Sequence, residues 1–269
     1  MSIEQIIVLA IVQGISEFLP ISSSGHLILV PEIMGWADQG LLTDVMVHMG
    51  SFAAVVVYFR TDIWQLIIGG LNLLRGNVTL YGKLAIYIVV ATVPAVIFGL
   101  YVKKTGLIDS VRGAQIVGWN AIIFGLLMYI ADRFSSAKKI MEDMKISPAI
   151  LIGIAQAIAI IPGTSRSGIT MTAARALGYS RPEAARFSFL LGIPAIAGAG
   201  VLVLGDAISK GEVISSDALI TGGLTFFTAL AAITFLMKLL KTVTFLPFVI
   251  YRLVLGVVLL SLVYTGVIV

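Results

Sequence analysis

Glu17, Ser23, His26 and Arg166 stand out in a chain that is otherwise mostly apolar. Arg166 lies in Pro162-Gly163-Thr164-Ser165-Arg166-Ser167-Gly168-Ile169-Thr170. A guanidinium presents a planar fork of donors that matches phosphate oxygens. The hydroxyls of Thr164, Ser165, Ser167 and Thr170 add donors, and free N–H groups ahead of a following helix add more. Glycines permit close backbone approach, and Pro162 ends whatever helix precedes it. Apolar residues crowd both flanks, Ala157 to Ile161 and Ile169 to Ala174. That setting argues against a surface loop, because ionisable groups at membrane depth are functional as a rule. The stretch reads as an oxyanion cradle inside a membrane protein.

A second polar break, Pro20-Ile21-Ser22-Ser23-Ser24-Gly25-His26, follows an apolar run that carries Gln13 and Glu17. Those two are four residues apart and share one helix face. Brought together, the breaks suit phosphoryl transfer. Ser22, Ser165, Arg166, Ser167 and Thr170 would bind phosphate and stabilise charge on its oxygens. Glu17, with Gln13 a turn away, would hold a hard divalent cation, with substrate oxygens and water completing the shell. His26 would carry a proton near neutral pH. Two routes are open: Ser23 attacks, activated by His26, or water attacks directly. Asp44 is a candidate neighbour of the site, and His48 shares its face. Arg252, inside an apolar run, is expected to pair with an acid or to snorkel to the interface. Taken singly, each residue has a bland reading as a cap or a packing hydrogen bond. The combination carries the argument.

Composition says what must position these groups. Of 269 residues, 59% are hydrophobic and 12% are charged, with a mean hydropathy of +1.06. The apolar share exceeds, and the charged share falls below, that of a soluble domain. Several runs approach the length that crosses a bilayer, so the chain reads as an all-α polytopic membrane protein. Met1 to Pro20 lacks a basic start and a small-residue cleavage site, and reads as a first membrane helix. The absence of cysteine excludes disulfides and thiolate metal sites. The net charge of +4 comes without basic runs interleaved with aromatics, so no nucleic acid is expected.

The runs divide into two halves. Residues 1–131 form a first membrane repeat, residues 132–147 a hydrophilic linker, and residues 148–269 a second repeat. Lys103, Lys104 and Arg112 mark a basic loop. Arg181 to Arg186 reads as an amphipathic stretch ahead of the apolar Phe187 to Leu204. Pro20 and Pro162 each lead a hydroxyl-rich break, and Gly50 and Gly192 follow thirty residues after them. Paired short segments broken by Gly and Pro are the pattern of inverted repeats with a site near the midplane. Irregular backbone there must be buried by the protein itself, because lipid cannot satisfy it.

At these residues the chain resembles the undecaprenyl-diphosphate phosphatase family of the bacitracin-resistance type. Gln13 and Glu17 match its first motif; Pro20, Ser22, Ser23, Gly25 and His26 match the element linked to it. Pro162, Gly163, Ser165, Arg166, Ser167 and Thr170 match the second motif. Asp44 to Ser51 and Pro247 to Arg252 resemble two further stretches, so the likeness covers nearly the whole chain. Gln13 replaces the first of two glutamates found in other members, which leaves Glu17 as the main charged ligand. The resemblance implies two inverted-topology repeats with re-entrant broken helices. It implies hydrolysis of undecaprenyl diphosphate to the monophosphate, with a divalent cation, Mg2+ or Ca2+. It also implies a place in the cytoplasmic membrane, with the site open to the outer face. The expected partners are the polyprenyl diphosphate, membrane lipids and, as an option, a second copy in a homodimer. The competing reading from another class is a lipid-carrier flippase or transporter, since broken midplane helices serve transport as well.

Overall fold

The computed structural model describes residues 1–106 and 113–268; Arg112, expected in a basic loop, lies outside them. Among the described residues there are eleven α-helices and no strand. The first half holds α1 (Ile3–Ser16), α2 (Ser23–Met34), α3 (Leu41–Tyr58), α4 (Arg60–Leu74), α5 (Leu80–Thr105) and α6 (Ala114–Phe134). The second holds α7 (Ile146–Ile158), α8 (Arg166–Ala176), α9 (Arg181–Ser209), α10 (Ser216–Leu239) and α11 (Leu246–Tyr264). Six of them, α3, α5, α6, α9, α10 and α11, are long and apolar enough to cross a membrane. Their outward faces are apolar, with Val89, Ile97, Phe227, Phe235 and Val257 all more than half exposed. In water such a surface would be an aggregation liability; it is the face a bilayer solvates. The protein is a multi-pass membrane protein.

The helix starts follow ordinary capping chemistry. Ser2, Thr79 and Ser215 each accept a hydrogen bond from a backbone N–H three residues on, closing the first turns of α1, α5 and α10. Left-handed Gly35 and Gly106 end α2 and α5. In one place helix formation runs further than the residue pattern suggests. The expected amphipathic and apolar pieces from Arg181 onward are one continuous helix, α9, with Pro194 inside it. The two polar breaks are shorter than they read, because Ser23 and Arg166 already lie in the first turns of α2 and α8.

Neighbouring helices can be oriented from their contacts. Asp62, just past the end of α3, pairs with Arg186 near the start of α9, while Gly200 of α9 lies against Met49 of α3. These two helices run antiparallel. So do α6 and α11, where Gly118 faces Leu260 and Gly125 faces Arg252. By contrast α1 runs parallel to α10 (Met1 on Asp217, Gly14 on Thr228). In the same way α7 runs parallel to α5 (Gly153 on Ala91, Ile160 near Gly99). The short helices α1 and α7, 14 and 13 residues long, are too short to cross a bilayer. At about 1.5 Å per residue each covers only some 20 Å of a core about 30 Å thick.

Candidate active site

Each short helix breaks and turns back as a second short helix, α1 into α2 and α7 into α8. The residue before each return helix is a serine with positive φ: Ser22 at +77° and Ser165 at +70°. A non-glycine residue there costs on the order of 1–3 kcal/mol, and such strain collects at functional sites. The Ser165 hydroxyl accepts from the Gly168 N–H at 3.1 Å, closing the first turn of α8. Ser23 and Arg166 are then equivalents: each is the first residue of its return helix.

The two tips meet. Nη2 of Arg166 donates to Oε1 of Glu17 at 2.8 Å. The other carboxylate oxygen accepts from the Ser23 hydroxyl at 2.6 Å and from the Gln13 amide at 3.1 Å. His48 of α3 sets its Nε2 3.6 Å from that same oxygen. Glu17 is buried. Removing one partner of a buried ion pair costs about 3–5 kcal/mol, because a naked charge is left behind. Arg166 also donates to the Ser188 carbonyl at 3.3 Å. Its guanidinium lies over Gly192, where any side chain would collide with it. A cavity of about 160 Å³ lies at this meeting point, lined by Glu17, Ser22, Ser23, Ser24, His48, Ala159, Ser165 and Arg166. Ser24, His48 and Arg166 also line a larger cavity of about 380 Å³ between α2, α3 and α9. Its other walls are mostly apolar (Leu27, Ile28, Val45, Met49, Ile196, Val203), with Asp44 among them.

Several sequence-stretch candidates sit elsewhere. His26 turns away from Glu17: its Nδ1 donates to the Ser22 carbonyl at 2.7 Å and its Nε2 accepts from the Tyr251 hydroxyl at 2.5 Å. The imidazole beside the carboxylate belongs to His48. The residue pattern places His48 on one face with Asp44, and spacing alone does not say which of the two reaches the tips. The hydroxyls of Ser167 and Thr170 are buried and engaged by protein. Ser167 donates to the Leu19 carbonyl at 3.3 Å, joining the tips. Thr170 bonds the Arg166 carbonyl at 2.8 Å and the Ser188 hydroxyl at 2.6 Å. Neither lines the cavities, so both brace the cradle from behind. Asp44 accepts from Gln39 at 2.7 Å.

Arg252 corrects its expectation outright, because it neither pairs with an acid nor snorkels. It is fully buried and donates to four carbonyls: Ala121 at 3.3 Å, Asn120 at 3.0 Å, Pro20 at 3.3 Å and Gly163 at 3.0 Å. Pro20 and Gly163 belong to the two breaks, whose carbonyls have no helix partner. One guanidinium thus fastens both tips to α6. Asn120 adds a bond from the same helix to the Pro162 carbonyl at 2.7 Å.

Among the described residues, no three or more His, Cys, Asp or Glu side chains are grouped closely enough to hold a metal. The donors at the tips are one carboxylate, one imidazole and the Gln13 amide, whose Oε1 is buried without a partner. This set fits a cation that takes part of its shell from a substrate, as phosphate-bound divalent ions do.

The family model described as Bacitracin resistance protein BacA matches residues 6–258. The undecaprenyl-diphosphatase of Jannaschia sp. (strain CCS1) is 47% identical over 266 residues, 98% of this chain and 100% of that protein. The undecaprenyl-diphosphatase of Maricaulis maris (strain MCS10) is 48% identical over 265 residues, 97% of this chain and 98% of that protein. That of Erythrobacter litoralis (strain HTCC2594) is 46% identical over 283 residues. With nearly every element of the fold inside the match, the chain belongs to the bacitracin resistance protein BacA family.

Proposed function

We propose that the chain is an integral membrane phosphatase that hydrolyses undecaprenyl diphosphate to undecaprenyl phosphate and inorganic phosphate. The activity would recycle the lipid carrier for cell-wall (peptidoglycan) synthesis and confer bacitracin resistance. One observation carries the reading: a carboxylate, a serine and a guanidinium from two hairpins converge on one polar cavity that shares a wall with an apolar one. A substrate with a charged headgroup and a long apolar tail needs both kinds of surface.

In this reading Arg166, Ser22 and Ser165 hold the terminal phosphate. Arg166 stabilises the charge that develops on its oxygens, in a site shielded from bulk water. Ser23 Oγ or a water attacks the terminal phosphorus, the bridging P–O bond breaks, and the monophosphate leaves; where Ser23 attacks, a water then cleaves the phosphoserine ester to release inorganic phosphate and restore the hydroxyl. Glu17 accepts the attacking proton when Ser23 is the nucleophile, since Ser23 already donates to it. His26 supports this arrangement through the Ser22 carbonyl at the strained turn. A divalent cation, Mg2+ or Ca2+ on the family likeness, would be held by Glu17 and Gln13 together with phosphate oxygens, and would neutralise charge on the diphosphate.

The antiparallel pairs α3 with α9 and α6 with α11, and three long spans per half, support two inverted-topology repeats joined by a linker near 132–147. Basic residues favour one end of the bundle. Arg60, Lys83, Arg133, Lys138, Lys139, Lys145, Lys238 and Lys241 lie at the linker end. Lys103, Lys104 and Lys210 lie at the other. Basic loops stay in the cytoplasm. The larger cavity lies toward the end opposite the linker, at the start of α3 and the later half of α9. This supports a site open to the outer face of the cytoplasmic membrane. A homodimer remains part of the proposal, tested by particle mass in a lipid nanodisc.

Phosphate release from a purified polyprenyl diphosphate by the purified protein tests the reading. Release that disappears in Arg166→Ala supports it; no release, or equal release by the variant, removes it. The paired antiparallel helices also suit a lipid flippase, which would move labelled lipid across liposomes without releasing phosphate.

A further inference from the structure

His26 and Tyr251 form a line of hydrogen bonds behind the cavities. The His26 ring sets Nδ1 2.7 Å from the Ser22 carbonyl and Nε2 2.5 Å from the Tyr251 hydroxyl. A carbonyl only accepts, so Nδ1 carries the hydrogen of the neutral ring and Nε2 is an acceptor. The phenol supplies the hydrogen that Nε2 needs. The two rings lie within 15° of one plane with centroids 5.7 Å apart, so they meet edge to edge along that bond. Which imidazole nitrogen is protonated is set by what the other one meets; here a donor on α11 makes the choice. Two contrasts with the second hairpin show what the ring does. The Ser165 hydroxyl closes the first turn of α8, whereas the Ser22 hydroxyl caps nothing in α2. The helical bond from the Ile169 N–H to the Ser165 carbonyl is 2.9 Å, but the matching bond from the His26 N–H to the Ser22 carbonyl stretches to 3.4 Å. The strained turn at Ser22 therefore has weaker fastenings of its own, and the His26 side chain adds one on the same carbonyl. Arg252, the neighbour of Tyr251, holds the Pro20 carbonyl two residues earlier. Consecutive residues of α11 thus grip the first break on both sides of Ile21.

We infer that Tyr251 is a positioning residue for the proposed phosphatase reaction, acting through His26 on the Ser22–Ser23 peptide. Neither Tyr251 nor His26 lines either of the two cavities, so the effect travels through the backbone. Ser23 starts α2 and donates to Glu17 at 2.6 Å. A turn of the peptide before it swings that hydroxyl off the carboxylate. Without the phenol hydroxyl, Nε2 is an acceptor with no donor, and the ring is no longer held in one state. The form with its hydrogen at Nε2 becomes available, and it sets a bare Nδ1 against the Ser22 carbonyl. Two acceptors then face each other, and the peptide loses its fastening. The inference rests on the phosphatase reading, but the state of the ring is measured with no substrate present.

The test uses the full-length protein in lipid nanodiscs, with its histidines labelled with nitrogen-15. The chain has two histidines, and the His48→Gln protein tells their signals apart. Nitrogen shifts distinguish a protonated ring nitrogen from a bare one. Expected in the wild type is one state of His26, protonated at Nδ1 and bare at Nε2. Tyr251→Phe keeps the aromatic ring and removes only the hydroxyl. It should replace the single state by a mixture that includes hydrogen on Nε2. It should also lower kcat on a polyprenyl diphosphate about tenfold, with KM within about threefold of the wild type. In a His26→Ala background the same substitution should change kcat by less than about twofold, because its route is gone. Hydrogen on Nε2 of His26 in the wild type overturns the inference, as does an unchanged His26 spectrum in Tyr251→Phe. Equal losses of kcat from Tyr251→Phe with and without the His26 ring overturn it too. The two readings fail differently. No phosphate release by the wild type removes the phosphatase reading and this role with it. An active wild type matched by Tyr251→Phe removes only the role of Tyr251.

Discussion

The two hairpins share a backbone and differ in chemistry. Both pass through a serine with positive φ, and both restart as a helix at the next residue. The first tip carries the carboxylate and the Ser23 hydroxyl that donates to it; the second carries the guanidinium at the position equivalent to that hydroxyl. Gln13 in the first hairpin has a buried counterpart, Gln156, in the second, with neither amide atom bonded. Two tips of like backbone supply the geometry, and a few different side chains supply opposite charges to one cavity. Neither hairpin is a site without the other.

The largest way to break this comparison is to blank the cation. Arg166→Ala should lower phosphate release about a thousandfold, the scale of a lost transition-state charge partner. Gly192→Ala tests the same guanidinium without touching it. A methyl group there displaces Arg166, and a misplacement near 1 Å costs about a hundredfold. The expected result is a fall in kcat with the fold intact by circular dichroism. Arg252→Lys sharpens the comparison by loosening both tips together. An ammonium cannot span four carbonyls, so about tenfold in kcat should be lost, with destabilisation of about 2–3 kcal/mol from carbonyls left bare. Thr170→Val is the smallest. Its hydroxyl braces Ser188 from behind, so stability should fall by about 1 kcal/mol while the rate stays within about threefold.

Much of this was legible in the residues, and the reasons are specific. Proline and glycine set among clustered hydroxyls in an apolar run point to a broken helix, and a membrane cannot tolerate one unburied. Their convergence followed, which brings Glu17 and Arg166 into one neighbourhood; that the two pair directly is seen only in the structure. What could not be read was which face each helix presents once packed. His26 and His48 both follow helical spacing from a site residue, yet only packing of α3 on the hairpins decides that His48 meets the carboxylate. Arg252 was misread for a related reason. Its partners are carbonyls orphaned by breaks 89 and 232 residues away, and no local spacing announces them. The single helix α9 hid behind its charged first turns, which read as a separate amphipathic piece.

The most direct measurement of the central claim, that two tips form one catalytic centre, is a double-mutant cycle on kcat. Arg166→Ala, Glu17→Gln and the pair would be compared on one polyprenyl diphosphate. Groups that act as a unit are strongly non-additive, so the double variant should lie within about tenfold of the slower single variant. Losses that multiply across the two positions would contradict the account.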